Sequence, residues 1–195
     1  MNLYKKLDSL RPKIESEDFH HGKGLANEIN FYIFDYDPKD EMEVRVYLKS
    51  LQTSINSKHD DIRVVEFDLY QLMLQVLDEK NYLPQIGEME EEVGSESLIE
   101  PIQSSLRLAL NDDIIIDFII QNISPETDVV FLTGVGKVWP IIRAHKVLNI
   151  LHIKLDKTPL ILFYPGSYAN ESLNLFNEIN DGNYYRAFKW ITEGV

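Results

Sequence analysis

Residues 128–168 read DVVFLTGVGKVWPIIRAHKVLNILHIKLDKTPLILFYPGSY. The run opens on a continuous apolar stretch, 129–132, turns through Gly134 and Gly136, continues with helical spacing and closes on a second apolar stretch, 160–164. Strand, glycine-bearing turn, amphipathic helix and strand in that order make a βαβ unit. Ligands on such units gather where the carboxyl ends of strands meet the following turns. The helix is expected to start near Pro140 and to bury Ile141, Ala144, Leu148 and Leu151.

The same alternation extends outward. Residues 2–16 space Leu3, Leu7, Leu10 and Ile14 for one face of a short helix. A loop rich in turn formers, HHGKGLANEIN, leads into an apolar strand at 29–34. Asp37 then caps a helix whose first position is Pro38 and whose buried stripe is Val44, Leu48, Leu51 and Ile55. A second strand at 62–67 precedes a helix marked by Leu69, Leu72, Met73, Val76 and Leu77. Residues 87–100, with the core EMEEEVGSES, are acidic and poor in apolar residues, and read as a mobile, solvent-facing connector. Residues 102–123 read as helical with a break at Asn111-Asp112-Asp113. The C-terminal region reads as one short helix, an Asp181-Gly182 turn and an aromatic tail.

Four short apolar strands separated by helices favour a parallel sheet covered on both faces. The expected fold is a single α/β domain over residues 1–195. It is a three-layer sandwich with a mainly parallel central sheet flanked by helices, Rossmann-like or RecA-like, plus any extra strand the pattern does not place.

Composition narrows the function classes. A net charge of −13 opposes broad electrostatic binding to nucleic acid, so direct DNA binding by the chain alone is not expected. With no cysteine there is no disulfide, thiol nucleophile or thiolate metal site. No apolar run approaches the ~20 residues of a membrane helix, and the first residues lack a signal-peptide apolar core. A soluble, cytoplasmic protein without membrane contact is expected.

Each candidate motif is incomplete. FLTGVGKVW matches the end of the phosphate loop G-x-x-x-x-G-K-[ST] at Gly136 and Lys137, but Phe131 stands where the first glycine belongs and Val138 where the hydroxyl belongs. Without them the amide cradle and a magnesium ligand are missing, so the glycines read as a tight turn with positive φ. Asp35 ends an apolar strand in FYIFDYDP, as a metal-holding carboxylate does, yet a turn-organising role accounts for it and for Asp37. His20, His21, His59, His145 and His152 show no metal-ligand spacing. Ser167 in YPGSY has no paired base and reads as part of a turn. The basic and aromatic tail NYYRAFKW reads as core packing with one arginine pairing a carboxylate, against single-strand stacking as the other reading. No catalytic set, metal site or cofactor is expected.

Taken in order, GKGLANEINFYIFDYDP, DVVFLTGVGKVWPIIRAHKVLN, PLILFYPGSY, NESLNLF and DGNYYRAF resemble the BrxB family of bacterial BREX (bacteriophage exclusion) defence systems. The likeness covers most of the chain, with the acidic segment its weakest part. It implies membership of a multi-protein antiviral system whose gene clusters also encode a DNA methyltransferase, a large ATPase and a PglZ-type protein of the alkaline phosphatase superfamily. It brings no catalytic residues with it. Three functions stay open: a non-enzymatic adaptor contacting the PglZ-type partner, a degenerate nucleotide-binding domain, and a metal-dependent enzyme using Asp35 and Asp37. For an adaptor, the expected partner face is the turn side of the sheet, with Gly134, Gly136, Lys137, Arg143, Tyr184, Tyr185 and Arg186.

Overall fold

The computed structural model describes residues 2–17, 19, 30–108, 110, 112–155, 158–185 and 187–190. His20, His21, most of the GKGLANEIN segment and Arg186 lie outside the described residues. The expected sandwich forms. Strands β1 (Phe31–Tyr36), β2 (Arg63–Asp68), β3 (Asp128–Thr133) and β4 (Leu160–Ala169) lie parallel in one sheet, with β7 (Phe188–Lys189) beside β1. The order is β2-β3-β4-β1-β7. A Rossmann sheet pairs its first two strands. Here β2 lies at the far edge, and β1 sits between β4 and β7, which is the RecA-like neighbour order.

Strand alternation sends side chains to two separate cores, which is why the strands read as continuous apolar runs. Phe31, Ile33, Val130, Leu132, Leu160 and Leu162 enter one layer; Phe34, Val64, Val129, Phe131, Ile161 and Phe163 enter the other. The helices divide between the layers by connection direction. Helix α3 (Glu41–Asn56) carries the chain from β1 outward to β2 and buries Val44, Leu48, Leu51 and Ile55 on the second layer, with α1 (Leu3–Asp8) and α2 (Leu10–Ile14). The chain then steps back through β3 to β4. A right-handed crossover in the opposite direction must use the opposite face. Accordingly α4 (Leu69–Glu79), α5 (Leu83–Val93), α6 (Ile99–Ser105), α7 (Ile114–Gln121), α8 (Val135–Val138) and α9 (Ala144–Lys154) pack on the first layer.

Several local expectations change. The N-terminal helix is two pieces, because Ser9 caps the first and precedes the second while its hydroxyl bonds the Lys6 carbonyl at 2.6 Å. The acidic segment is solvent-facing as expected, but it is helical through Val93: Leu83, Ile86 and Met89 give it an apolar stripe that the surrounding glutamates obscure. It ends at Gly94, with φ +83°, before a short 3-10 turn. The expected break near Asp113 is present, and its carboxylate caps α7 through the Ile115 and Ile116 amides.

The helix expected to start at Pro140 begins at Ala144, after the one-turn α8, so Ile141 lies in the linking turn. The C-terminal helix does not form. Residues 172–184 make an antiparallel hairpin, β5 (Ser172–Leu175) and β6 (Ile179–Tyr184), that extends β4 beyond the parallel sheet. Leu173 and Leu175 are buried between the polar Ser172 and Asn174, a period of two too short to stand out in sequence. Its turns use positive φ at Asn170, Glu171, Phe176 and Asn177, and Asp181-Gly182 lies inside β6. Ser167 therefore belongs to a strand, paired with Asn174, and not to a turn.

Candidate functional site

The carboxyl ends of the strands hold two polar clusters. The first joins β2 and β3. Asp68, the last residue of β2, caps α4 by accepting from the Tyr70 and Gln71 amides at 3.0 and 3.2 Å. Its other oxygen holds the Lys137 ammonium, which also lies 5.4 Å from the centre of the Tyr70 ring. Gly134 has φ +76°, and any Cβ there would collide with the Asp68 carboxylate. Its conformation and its lack of a side chain are both required for this approach. Gly136 departs from expectation: its φ is not positive. A Cβ there would come within 2.8 Å of the Phe176 ring, so close packing, and not backbone conformation, favours glycine. Beside this cluster the Thr133 hydroxyl donates to Glu66 at 2.7 Å.

The second cluster lies between β1 and β4. Asp35 is 10% exposed and sits between two lysines, Lys6 of α1 at 2.6 Å and Lys189 of β7 at 2.8 Å. The Tyr168 amide adds a third bond at 3.0 Å. Burial disfavours the Asp35 carboxylate, but Lys189, Lys6 and the Tyr168 amide outweigh it and hold its pKa below the ordinary value. Lys6 also reaches the Asp35 carbonyl at 2.5 Å, and Lys189 reaches the Tyr168 carbonyl at 2.8 Å. One carboxylate thus fastens α1, β1, β4 and β7 together. Asp37 is separate and exposed: it opens the 3-10 turn Pro38–Asp40 and pairs with Lys39.

These partners define what the site can do chemically. The Lys137 charge, which a phosphate loop would direct at a nucleotide, is balanced by Asp68. The end of β1 and the turn after it, Asp35-Tyr36-Asp37-Pro38, have no glycine and carry two carboxylates, the wrong sign for a phosphate. Among the described residues no group of three His, Asp or Glu side chains is placed to hold a metal ion. Three of the histidines are described: His59 lies 3.2 Å from Glu15, His145 is buried, and His152 packs on Phe31.

The residues expected on the partner face separate. Gly134, Gly136 and Lys137 share the first cluster. Arg143 stands at the start of α9, beside a cavity of about 60 Å³ lined also by Gln103, Asp113 and Lys146. Tyr184 ends β6 opposite Ser172. Tyr185 is 1% exposed, its backbone carbonyl accepting from the Tyr168 hydroxyl at 2.7 Å, so it is a core residue and not a surface anchor. Burial pushes its phenol pKa well up. Its neighbour in sequence, Arg186, lies outside the described residues.

Sequence reasoning missed Lys6, Lys189 and Asp68, whose partners are distant in the chain. It also missed Trp139 and Phe176, which are 38% and 37% exposed next to Gly136's turn and against Gly136 respectively. Half-exposed aromatics are the residue type that anchors interfaces.

Comparison with known proteins gives a consistent answer. The family described as BREX protein BrxB matches residues 65–190. A BREX protein BrxB of Bacillus cereus (strain H3081.97) is 47% identical over 189 residues, covering 97% of each chain. A BREX protein BrxB of Escherichia coli O9:H4 (strain HS) is 32% identical over 189 residues, covering 96% of this chain and 91% of that one. No solved structure matches.

Proposed function

Because the chain belongs to the BrxB family of BREX proteins, we propose that it serves phage defence as a non-enzymatic adaptor that contacts the PglZ-type protein of its system. One observation carries the non-enzymatic part. In open α/β sheets the crevice at the strand carboxyl ends receives the ligand. In this chain the charges at that edge are paired among its own groups, Asp35 with Lys6 and Lys189 and Lys137 with Asp68. The partner face is the turn side of the sheet, where Gly134, Gly136 and Lys137 present a rigid turn flanked by Trp139 and Phe176. Arg143 and Tyr184 belong to its margin.

The test is recovery of a tagged copy from cells carrying the whole defence cluster. The PglZ-type protein is expected to co-purify, and deletion of the chain is expected to abolish restriction of phage. Alanine at Lys137 should reduce restriction only in proportion to lost folding or assembly. A variant of Asp35 or Lys137 that folds and binds partners at wild-type strength yet loses restriction would overturn the adaptor role.

A further inference from the structure

We infer that the open edge of β2 accepts an extended segment of a protein partner as an added strand, one alternating basic with apolar side chains. The inference rests on the adaptor reading, since it requires a protein partner. Strand β2 ends the sheet order, so one side of its backbone has no neighbouring strand among the described residues. The Arg63 amide donates to the Thr127 carbonyl at 2.8 Å on the β3 side. Alternation along a strand therefore turns Val64 and Glu66 outward. Val64 is covered: Asn56 bonds its amide at 2.7 Å and its carbonyl at 2.9 Å, and Gln52 reaches the same carbonyl at 3.1 Å. Two residues on, no such cover exists among the described residues, and the Glu66 amide and carbonyl face a groove of about 590 Å³. Native sheets usually blunt such edges; this one is blunted at Val64 and left open at Glu66.

The chemistry of the walls selects the occupant. An extended peptide laid along the edge exchanges two main-chain hydrogen bonds with Glu66, as in strand addition. Its side chains then alternate between the two faces of the sheet. One set meets Glu66 and Gln52. Glu66 is half-buried, accepts only the Thr133 hydroxyl, and has no cationic partner among the described residues. A lysine or arginine fits there, and the net charge of −13 favours its approach. The other set meets the half-buried Phe118 ring, flanked by the amides of Gln71, Gln75 and Asn122, and takes an apolar residue. The groove ends at Asp68, which holds Lys137, so a strand bound there runs onto the partner face assigned above.

The experiment compares amide hydrogen exchange of the full chain, free and in complex with the PglZ-type protein co-purified from its cluster. The affinity of two variants is measured alongside. Glu66→Gln removes the charge but keeps an acceptor for Thr133. Gln71→Trp fills the groove from an exposed helix position. In the free chain the Glu66 amide exchanges faster than those of Val65 and Phe67. On complex formation it is expected to slow at least about tenfold, as a newly bonded amide does. Glu66→Gln should weaken binding about tenfold and Gln71→Trp at least as much, with unchanged melting temperatures. Unaltered exchange at Glu66, or full-strength binding by Gln71→Trp, would overturn the edge site while leaving the adaptor role intact. Failure of the wild-type chain to retain any cluster protein would overturn the adaptor role itself.

Discussion

Replacing Asp35 by alanine tests the fastening role of its carboxylate most directly. The substitution leaves Lys6, whose side chain is 7% exposed, without a counter-charge, and frees the Tyr168 amide. Breaking a buried pair from one side costs roughly 3–5 kcal/mol. The second lysine adds little, because Lys189 is 41% exposed and rehydrates. A chain of this size loses roughly 2–4 °C of melting temperature per kcal/mol, so a fall of roughly 10 °C is expected in a thermal melt followed by circular dichroism. Converting Lys6 to methionine in the same variant removes the stranded ammonium and should restore most of the loss. The pH dependence follows with a definite sign. The Asp35 pKa is lower folded than unfolded, so its contribution is present above the unfolded value of 3.8 and disappears as pH falls through the folded value below it. The wild type should therefore lose stability steeply below that pH, and Asp35→Ala should show a shallower acid limb. A melting temperature lowered by less than about 2 °C, or a double variant no better than the single one, would refute the fastening role.

Gly134→Ala combines a left-handed φ with a collision against the Asp68 carboxylate and should cost roughly 1–3 kcal/mol by urea denaturation; Gly136→Ala, which must displace only the Phe176 ring, should cost less. Tyr185→Ala opens the first core layer and should lower stability by roughly 3–5 kcal/mol in the same assay, whereas a surface position would change it by less than about 0.5 kcal/mol. Lys137→Ala removes a pair whose side chains are still 26% and 23% exposed, and should cost about 1 kcal/mol. Neither it nor the wild type should show a thermal shift with ATP and magnesium; micromolar ATP affinity lost in Lys137→Ala would contradict the structural assignment of the turn.

The sheet was legible because its strands are buried on both faces, so runs such as Val129–Leu132 and Leu160–Tyr164 carry an unbroken apolar signal. Crossover helices were legible where a long stripe repeats, as Val44, Leu48, Leu51 and Ile55 do. The hairpin was not, because its strands are short and its turns take left-handed backbone without glycine at Asn170 and Phe176. The site was legible only as incomplete motifs. Lys6 and Lys189 stand 29 and 154 residues from Asp35 (35 − 6 and 189 − 35), and no local pattern reveals that three charges so spaced will meet. Tyr185 was misplaced on the surface because the layer that buries it forms only with the hairpin, which the sequence did not reveal.

The bond from the Trp190 indole to the Ser9 hydroxyl, 3.0 Å long, together with the two lysines on Asp35, sews the first helices to the last strand. During synthesis these partners leave the ribosome far apart in time. At translation rates of roughly 5–20 residues per second, the start of the chain waits on the order of ten seconds or more before Trp190 emerges. Over that interval Leu7, Leu10 and Ile14 have no indole to cover them, although Trp190 is fully buried in the same cluster in the folded chain. Trp190 therefore joins the second layer only after its other members have been synthesised. A nascent chain stalled before residue 188 offers chaperones and proteases an uncapped aromatic layer, so loss of the final strand acts on the folding of the opening helices and not merely on the tail.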